Sequence, residues 1–378
     1  MSNKIHILFA IDYFHRTGGT ERHLAQLVRL LSRDRFTCSV VVFDLGDNAL
    51  IDEMRTAGIS VHNVPVGRIY APNALRRAVE LARIIRREKV DIVQTFHQTS
   101  DTFGAIVARL SGVKLVISSK RDTGQLKRPL HTFLNRRLKV LFDRTIVVAD
   151  AVGEAVVAAE GIDRSSITRI YNGVDAIEFS PPSASEAAAA RKSLGFESDD
   201  FVVGMVANFR TEKNYGVFFE GAVKAMDAIP PLKLLAVGGG PLLSHFRELY
   251  DIERFRSRIV FAGETKDVAR YLKAMDVGCL IPGGNEGFSN AVLEKMATGL
   301  PMIVSNVGGN AEAVIDGENG IVIPPNDAEA FSAALVRMYA DAAARSAMGR
   351  RSRQLVEERY GLLDMCQNHE ALYLSLCN

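Results

Sequence analysis

The chain carries EGFSNAVLE at residues 286–294, a run with a glutamate at each end. On a helix of about 3.6 residues per turn, positions eight apart lie roughly 80° past two full turns, so both carboxylates are expected to border one side. The preceding PGGN at 282–285 has loop composition, whereas AVLEKMA at 291–297 is strongly helix-forming. The run is therefore predicted to be a loop that enters a helix, with Glu286 at the mouth.

The backbone at the start of this predicted helix is a candidate anion site. The first N–H groups of a helix have no partner within the helix and attract negative charge. Those from Gly287 to Asn290 are expected to lie on the same side as the two carboxylates. Such a mixture of donors and acceptors suits a diphosphate linked to hydroxyl-rich sugar rings. The spacing alone is more typical of an exposed helix with two solvated glutamates.

The sequence beyond Glu294 favours the site over the plain helix. Gly299 ends the predicted helix, MIVS at 302–305 is a short apolar strand, and VGGNAE follows at 307–312. This ordered stretch resembles the donor-binding signature of glycosyltransferase family 4, a retaining group with the GT-B fold. The resemblance implies an α/β protein of two doubly wound, Rossmann-like domains that face each other across a cleft.

Length and composition agree with two separate cores. The chain has 378 residues, of which 47% are hydrophobic. The apolar start at 5–11 runs directly into a polar loop without a basic leader, so it is predicted to be a buried strand rather than a signal peptide. No stretch approaches the ~18 uncharged apolar residues of a membrane span. The four cysteines are scattered, which predicts reduced thiols in a cytoplasmic protein.

Apolar strands alternate with helical stretches along the chain, and this alternation predicts parallel sheets wrapped by helices. Helices are expected at 21–31 and 73–88. The strands expected in the first half are 5–11, 37–43, 92–95, 115–118 and 144–148. Those expected in the second half are 201–207, 232–237, 258–261, 276–281, 302–304 and 321–323.

The two halves are joined by YNGVDAIEFSPP at 171–182, which combines an Asn-Gly turn pair with two prolines. The predicted organisation is an N-terminal acceptor-binding domain at 1–172, a linker at 173–182 and a C-terminal nucleotide-sugar-binding domain at 183–352. By resemblance alone, residues 353–378 are expected to form a helix that packs back on the N-terminal domain.

The resemblance assigns donor-binding roles to loops that follow strands. Lys213 matches the family lysine that neutralises the leaving diphosphate, with Arg210 taken to replace an arginine that many relatives carry at the position of Asn208. Glu286 is expected to bind the donor hexose and Glu294 the ribose. Glycines let backbone approach a phosphate, although they are also typical of plain turns. Further donor contacts are assigned to Gly18, Gly19, Gly287, Phe288, Ser289, Asn290, Gly239, Gly263 and Glu264.

The acceptor side is assigned to the first domain. His97 ends a predicted strand, where family members often carry a histidine, and it is expected to take part in catalysis. A lone histidine there is also typical of a satisfied polar core residue. SSKRD at 118–122 departs from relatives that have a histidine near the reacting sugar. Lys120 and Arg121 in this segment are expected to favour an anionic acceptor group.

Charge is unevenly distributed along the chain. The formal net charge is +2, but residues 1–175 carry 26 basic and 18 acidic residues. Basic residues interleaved with apolar ones at helical spacing predict contact with an anionic membrane surface or a phosphate-bearing acceptor. The alternative is an amphipathic surface helix packed on its own domain. The basic residues in question are Lys120, Arg121, Lys127, Arg128, Arg136, Arg137 and Lys139.

The expected function is a retaining, metal-independent transfer of a hexose from a nucleotide-diphosphate sugar, with UDP-sugar favoured, to a glycan or lipid-linked acceptor of cell-surface polysaccharide or lipopolysaccharide synthesis. No Asp-x-Asp motif occurs, so no divalent metal is expected, nor any cofactor or nucleic acid. A cytoplasmic location is expected, with docking on the inner face of the plasma membrane as a further hypothesis. The alternatives are a hydrolysing sugar-nucleotide epimerase of the same fold and a noncatalytic sugar-nucleotide-binding protein. A nicotinamide-linked oxidoreductase is disfavoured because no G-x-G-x-x-G follows the first strand.

Overall fold

Apolar strands alternating with helices build two parallel sheets, one in each of two units of the chain. The computed structural model describes residues 4–15, 18–67, 69, 73–124 and 129–377. One unit comprises Met1–Tyr171 with Leu363–Asn378, and the other comprises Asn172–Leu362.

The first unit contains a seven-stranded parallel sheet in the order β3-β2-β1-β4-β5-β6-β7. Among the described residues up to Tyr171, six α-helices alternate with these strands. The strands are β1 Ile5–Ile11, β2 Phe36–Val42, β3 Ser60–Asn63, β4 Ile92–Phe96, β5 Leu115–Lys120, β6 Arg144–Val147 and β7 Ile167–Arg169. The helices are α1 Gly19–Leu30, α2 Ala49–Thr56, α3 Asn73–Glu88, α4 Ala105–Leu110, α5 Pro129–Leu138 and α6 Asp150–Glu160.

The second unit contains a six-stranded parallel sheet in the order β10-β9-β8-β11-β12-β13. The strands are β8 Phe201–Val206, β9 Leu232–Val237, β10 Ile259–Gly263, β11 Val277–Leu280, β12 Met302–Ser305 and β13 Gly320–Ile323. The helices are α7 Ala184–Ser193, α8 Tyr215–Ala225, α9 Leu243–Tyr250, α10 Glu253–Arg256, α11 Val268–Leu272, α12 Asn290–Ala297, α13 Asn310–Ala313, α14 Ala328–Ala340 and α15 Ala342–Arg359, with α16 Leu362–Cys377 after them.

The predicted α/β fold with two doubly wound domains is confirmed. Strands of a parallel sheet are covered by helices on both faces, so they are continuous apolar runs that the sequence displays clearly. β8, for example, is buried at every position. The prediction missed β3 and β7, which lie at the two edges of the first sheet. Both are short and partly exposed, so they lack the apolar run that marks a buried strand.

The end of the chain divides between the two units. Residue 353, where the returning segment was predicted to begin, lies within α15, and α15 packs on α12 and α14 of the second unit. Helix α16 instead packs in the first unit, where Tyr373 Oη donates to Gln94 Oε1 at 2.6 Å. Glu370 of α16 accepts from the backbone N–H of Ser32 at 2.6 Å.

The segment predicted as a linker packs within the second unit. The backbone at Val174 pairs with Gly361, and the Val174 N–H donates to the Tyr360 carbonyl at 2.9 Å. The Arg353 guanidinium donates to the carbonyl of Ala176 at 2.8 Å and to that of Ala297, at the end of α12, at 2.9 Å. One half-buried guanidinium nitrogen, Arg353 Nη1, therefore fastens this segment to α12.

A buried ionic network ties the late part of the first unit together. Lys120 Nζ lies 2.8 Å from Asp101 Oδ2 and 2.9 Å from Glu160 Oε2, and all three side chains are buried. Asn135 of α5 donates to the other oxygen of Glu160 at 2.7 Å. Burial alone would lower the pKa of Lys120, but Asp101 and Glu160 outweigh it and raise the pKa. The network holds α5 and α6 on the end of β5.

Candidate active site

Both sheets reverse their strand order at one point, and the candidate residues of each unit cluster there. In the second unit the reversal lies between β8 and β11, because β9 and β10 lie on one side and β12 and β13 on the other. Loops that leave the carboxyl ends of two such strands diverge, and this divergence opens a ligand site in doubly wound sheets. The loop after β8 carries Lys213, and the loop after β11 carries Glu286.

Lys213 and Glu286 meet across this reversal point. The distance from Lys213 Nζ to Glu286 Oε2 is 2.6 Å. Their side chains are 24% and 12% exposed, so both remain reachable from solvent. An ammonium and a carboxylate held together at a half-buried site present a cation for a phosphate and an acceptor for hydroxyl groups at one place.

The backbone of the segment VGG at 307–309 packs directly against the loop that carries Glu286. Gly308 has a left-handed backbone with φ of 56°, and a Cβ added to it would lie 2.1 Å from the Glu286 carbonyl oxygen. Gly309 donates its N–H to the Gly287 carbonyl at 2.6 Å. Only glycine at 308 lets these two loops approach so closely.

Two residues outside the predicted site also hold this loop. Buried Asn172 donates from Nδ2 to the Phe288 carbonyl at 2.6 Å. The Phe288 ring is itself buried and lies 5.4 Å, between centroids, from the ring of Tyr360. The sequence prediction treated Asn172 only as the edge of a linker, because a contact with a residue so distant along the chain leaves no local signal. Phe288 supports the loop through its packed side chain.

Helix α12 begins at Asn290 with Ser289 at its N-cap. The Ser289 side chain makes no capping hydrogen bond, and its carbonyl accepts from the N–H groups of Val292 at 3.1 Å and Leu293 at 3.3 Å. Glu294 lies one turn further and is only 6% exposed. Glu286 and Glu294 lie at the two ends of the same run, but Glu294 is nearly buried and Glu286 is partly exposed. The two carboxylates therefore have different environments.

The remaining residues that the sequence predicts to bind the donor in this unit lie in loops after β8, β9 and β10. Arg210 is 41% exposed, and its nearest acidic neighbour is Glu212, with 4.0 Å from Nη1 to Oε1. A Cβ on Gly238 would lie 2.0 Å from the Ala207 carbonyl oxygen, and Gly238 donates its N–H to the Gly263 carbonyl at 2.9 Å. The glycines thus close three loops on one another. Glu264 is exposed beside Gly239.

In the first unit the strand order reverses between β1 and β4. The loop after β1 ends at Gly18 and Gly19, where α1 begins. Gly18 donates its N–H to Glu21 Oε2 at 2.9 Å, and a Cβ on Gly18 would lie 2.4 Å from that oxygen. Glu21 is buried, and its charge opposes the lowering of the Arg121 pKa by burial. Arg121 therefore belongs to the group of residues at the N-terminus of α1.

His97 lies on the other side of this reversal point. It has a left-handed backbone with φ of 76°, which is rare for a residue with a side chain and concentrates at functional sites. Its ring stacks on Tyr13 with 4.7 Å between centroids. Asp12 fastens the two loops by accepting from the N–H groups of Thr99 at 2.7 Å and Ser100 at 2.6 Å. Burial raises the pKa of Asp12, although His97 and these donors oppose the shift.

Several basic residues assigned to the acceptor or membrane have structural partners. Lys120 is buried in the ionic network described above. Arg136 donates to the Ala159 carbonyl at 2.6 Å, and Lys139 donates to the Gly161 carbonyl, so both stabilise the C-terminus of α6. Lys127 and Arg128 lie outside the described residues. Much of the positive charge instead lies on α3, as Arg76, Arg77, Arg83, Arg86 and Arg87.

Two family models cover most of the chain. The model described as Glycosyltransferase Family 4 matches residues 17–177, and the model described as Glycosyl transferases group 1 matches residues 200–341. The chain belongs to glycosyltransferase family 4. The donor segment recognised in the sequence and the matched models thus agree, and the protein is a glycosyltransferase.

Named relatives and solved structures agree with this membership. The glycosyltransferase is 27% identical to UDP-Gal:alpha-D-GlcNAc-diphosphoundecaprenol alpha-1,3-galactosyltransferase of Escherichia coli, over 95% of this chain and 94% of that protein. It is 29% identical to the lipopolysaccharide core biosynthesis mannosyltransferase LpsB of Rhizobium meliloti, over 47% of this chain and 53% of LpsB. Its fold matches that of HepE from Anabaena in complex with UDP, with a TM-score of 0.85 at 20% identity, over 98% of this chain and 100% of HepE. The fold is GT-B.

Replacing Gly308 by alanine should displace the Glu286 loop. The new Cβ would overlap the Glu286 carbonyl, and a misplacement of about 1 Å costs on the order of 10² in turnover. Gly317→Ala is the matched control, because Gly317 also has a positive φ, of 79°, but a Cβ there meets no atom within 4 Å. Gly317→Ala should lose about 1 kcal/mol of folding stability from backbone strain, and Gly308→Ala should lose more because its Cβ also overlaps the Glu286 carbonyl. Turnover measured with a nucleotide sugar should fall only for Gly308→Ala, and equal turnover of the two variants would contradict the role of this contact.

Proposed function

We propose that this glycosyltransferase moves a hexose from a UDP-sugar to a lipid-linked or lipopolysaccharide-type glycan acceptor, with retention of the anomeric configuration. The observation that carries the proposal is the contact between Lys213 and Glu286 at the reversal point of the second sheet. The E. coli relative supports the substrates, because its name specifies UDP-Gal as donor and a diphosphoundecaprenol-linked sugar as acceptor. The name of LpsB likewise specifies lipopolysaccharide core biosynthesis.

The proposed mechanism relies on positive charge placed in advance where the diphosphate leaves. Transfer passes through an oxocarbenium-like state as the bond from the sugar to the diphosphate breaks, so stabilising the departing oxygen is the main catalytic contribution. Lys213 supplies the compact cation for this oxygen, and exposed Arg210 adds a second. Backbone N–H groups at the start of α12 bind the same diphosphate.

The two glutamates divide the recognition of the donor. Glu286 accepts hydrogen bonds from the hexose hydroxyls with the lone pairs that Lys213 leaves available. Glu294, nearly buried further along α12, binds the ribose hydroxyls. The acceptor hydroxyl attacks on the face that the diphosphate vacates and passes its proton to the departing diphosphate oxygen, so the configuration is retained. We propose that Lys213 and Arg210 supply the positive charge that a divalent metal would otherwise provide, so that the reaction is metal-independent.

The first unit is proposed to bind the acceptor. His97 and Arg121 lie in loops that follow neighbouring strands β4 and β5, at the same edge of the sheet. Arg121 suits a phosphate-bearing acceptor, as its guanidinium binds phosphate oxygens in a planar fork. Lys120 is not included in this proposal, because its ammonium is already shared by two buried carboxylates.

A peripheral contact with the membrane would bring the enzyme to such an acceptor. No helix in the described part of the chain is long and apolar enough to cross a bilayer. Helix α5 instead presents Leu130, 61% exposed, and Phe133, 53% exposed, next to Arg137, whose guanidinium lies 5.4 Å from the Phe133 ring centre. Exposed apolar and basic side chains on one helix suit an anionic bilayer surface.

Two other functions of the same fold remain to be separated by experiment. A hydrolysing epimerase would release free nucleoside diphosphate without an acceptor, and a noncatalytic protein would bind the donor without turnover. Incubation of the enzyme with UDP-galactose, UDP-glucose or UDP-N-acetylglucosamine, with and without a lipid-diphosphate-linked sugar, distinguishes them. Acceptor-dependent release of UDP with a new glycosidic product supports transfer, whereas acceptor-independent release supports hydrolysis.

Replacing Lys213 by alanine should lower turnover by on the order of 10²-fold or more, because one preorganised charge on the leaving group is lost. The control is Lys224→Ala, which removes a lysine that pairs with Glu220 and Glu329 on the surface of the same unit. Turnover is measured with the donor and acceptor identified in the screen. Near wild-type turnover of Lys213→Ala would remove the lysine from the mechanism.

The membrane contact should depend on the exposed side of α5. The enzyme is expected to sediment with anionic vesicles at low salt and to dissociate at 1 M salt, where the Debye length is about 3 Å. Replacing Leu130, Phe133 and Arg137 together by serine should abolish most of this binding. Leu75→Ser on α3, 75% exposed, is the control for loss of an exposed apolar side chain. Equal binding to neutral vesicles, or none to anionic ones, would favour a plain surface helix.

A further inference from the structure

Lys295 is a fully buried lysine within the donor segment. It follows Glu294 directly, has no exposed surface, and is among the largest fully buried side chains of the described residues. A Cβ added to Gly278 of β11 would lie 2.5 Å from Lys295 Cδ, so the lysine stem lies directly against this strand. The sequence prediction took Lys295 only as a helix-forming residue, since nothing in the local pattern distinguishes a buried lysine from a solvated one.

The ammonium of Lys295 lies at the end of α12 that faces the proposed diphosphate site. Its Nζ donates to the Ala291 carbonyl, one turn back towards the N-terminus of the helix, at 3.0 Å. This position follows from the direction of helical side chains, which lean towards the N-terminus. The ammonium therefore lies next to the first turn of α12, the turn that the loop of Glu286 enters.

The charges that act on Lys295 are largely those of the donor site. They come from Glu294 on its own helix, from Cys279 on β11, and from Lys213 and Glu286 in the two loops. Of the other elements packed on α12, α15 places the Arg353 guanidinium at the opposite end of the helix, and α13 carries Glu312. Burial lowers the pKa of Lys295 to about 8, with Glu294 opposing the shift.

A buried ammonium with a carbonyl of its own helix as partner is costly, and an apolar side chain of similar length would avoid this cost. We propose that Lys295 is a positioning residue of the donor site, whose buried charge attracts the diphosphate and whose protonation is coupled to nucleotide binding. This inference rests on the proposed function, because it takes the ligand at α12 to be a nucleoside diphosphate. An arriving diphosphate stabilises the charged lysine, and by reciprocity the charged lysine strengthens binding of the diphosphate.

The coupling has a defined sign. Binding raises the pKa of Lys295, so the added affinity is fully present below the pKa of the free protein and is lost as pH rises through the pKa of the complex. A rise of one unit corresponds to about tenfold in affinity. The wild type should therefore bind the nucleotide roughly tenfold more tightly than Lys295→Met at pH 6.5, and the two affinities should converge near pH 10.

Calorimetry in buffers of different ionisation enthalpy measures the proton directly. UDP, GDP and ADP are first tested, and the nucleotide that binds is the probe. At pH 8 its phosphates are already ionised, so the wild type should take up as much as about half a proton per nucleotide bound. Lys295→Met, whose unbranched side chain ends at Cε and lacks the ammonium, should bind the same nucleotide without this uptake. Lys192→Met, a change at an exposed lysine of α7, should behave as the wild type.

The outcomes separate the inference from the function on which it rests. Equal proton uptake by the wild type and Lys295→Met, or an affinity ratio that does not change with pH, would overturn the role of Lys295 alone. Failure of the wild type to bind any of the three nucleotides would overturn the proposed function, and the inference with it. Lower affinity of Lys295→Met by the same factor at every pH would indicate a packing role only and would also overturn the proposal.

A second measurement keeps the inference testable without ligand. Because the pKa of Lys295 in the folded protein is about 8 and the usual value is 10.5, the unfolded chain binds more protons between these two pH values. The stability of the wild type relative to Lys295→Met should therefore rise between pH 8 and 10.5, as measured by chemical denaturation. A difference in stability that is constant across this window would show that the lysine is not held as a buried charge.

Discussion

The ion pair of Lys213 and Glu286 is the contact on which the organisation of the donor site depends. The two residues belong to loops that leave adjacent strands β8 and β11, and the Gly283 N–H also joins these loops by donating to the Glu212 carbonyl at 3.3 Å. The pair leaves both of its side chains partly exposed. The cation proposed to bind the diphosphate and the carboxylate proposed to bind the sugar are thereby held 2.6 Å apart. Preorganisation of this kind reduces the reorganisation required during transfer.

Close backbone contacts and hydrogen bonds hold the loops that carry this pair. Glycines at positions 308 and 238 let the backbones of neighbouring loops pack in direct contact. Asn172 and Arg353 add hydrogen bonds between the segment at 171–182 and the rest of the second unit. In the first unit, Asp12 joins the loops after β1 and β4 in a corresponding way. In each sheet, a carboxylate thus connects the two loops at the point where the strand order reverses. In the second unit Glu286 pairs with Lys213, and in the first unit Asp12 accepts from backbone N–H groups.

The sequence predicted what local pattern encodes and missed what only the tertiary fold brings together. Continuous apolar runs predicted the central strands, whereas the short edge strands β3 and β7 lacked such a run. Lys213 and Glu286 were each predicted by resemblance, but their contact spans 73 positions of sequence and depends on strand order. Lys120 and Lys295 have no local sequence feature that distinguishes them from solvated lysines, and only the tertiary fold shows that both are buried. The basic character of the first half was assigned to 120–139, while α3 carries five arginines.

The central claim is that the two glutamates act on different parts of one donor, with Lys213 on the diphosphate between them. Calorimetry with UDP and with the intact UDP-sugar, on Glu286→Gln and Glu294→Gln, tests it most directly. Glu286→Gln should bind UDP at least as tightly as the wild type, because Lys213 loses its neutralising partner, yet bind the UDP-sugar less tightly. Glu294→Gln should weaken both ligands by the same factor. Equal losses of UDP affinity in the two variants would contradict the account.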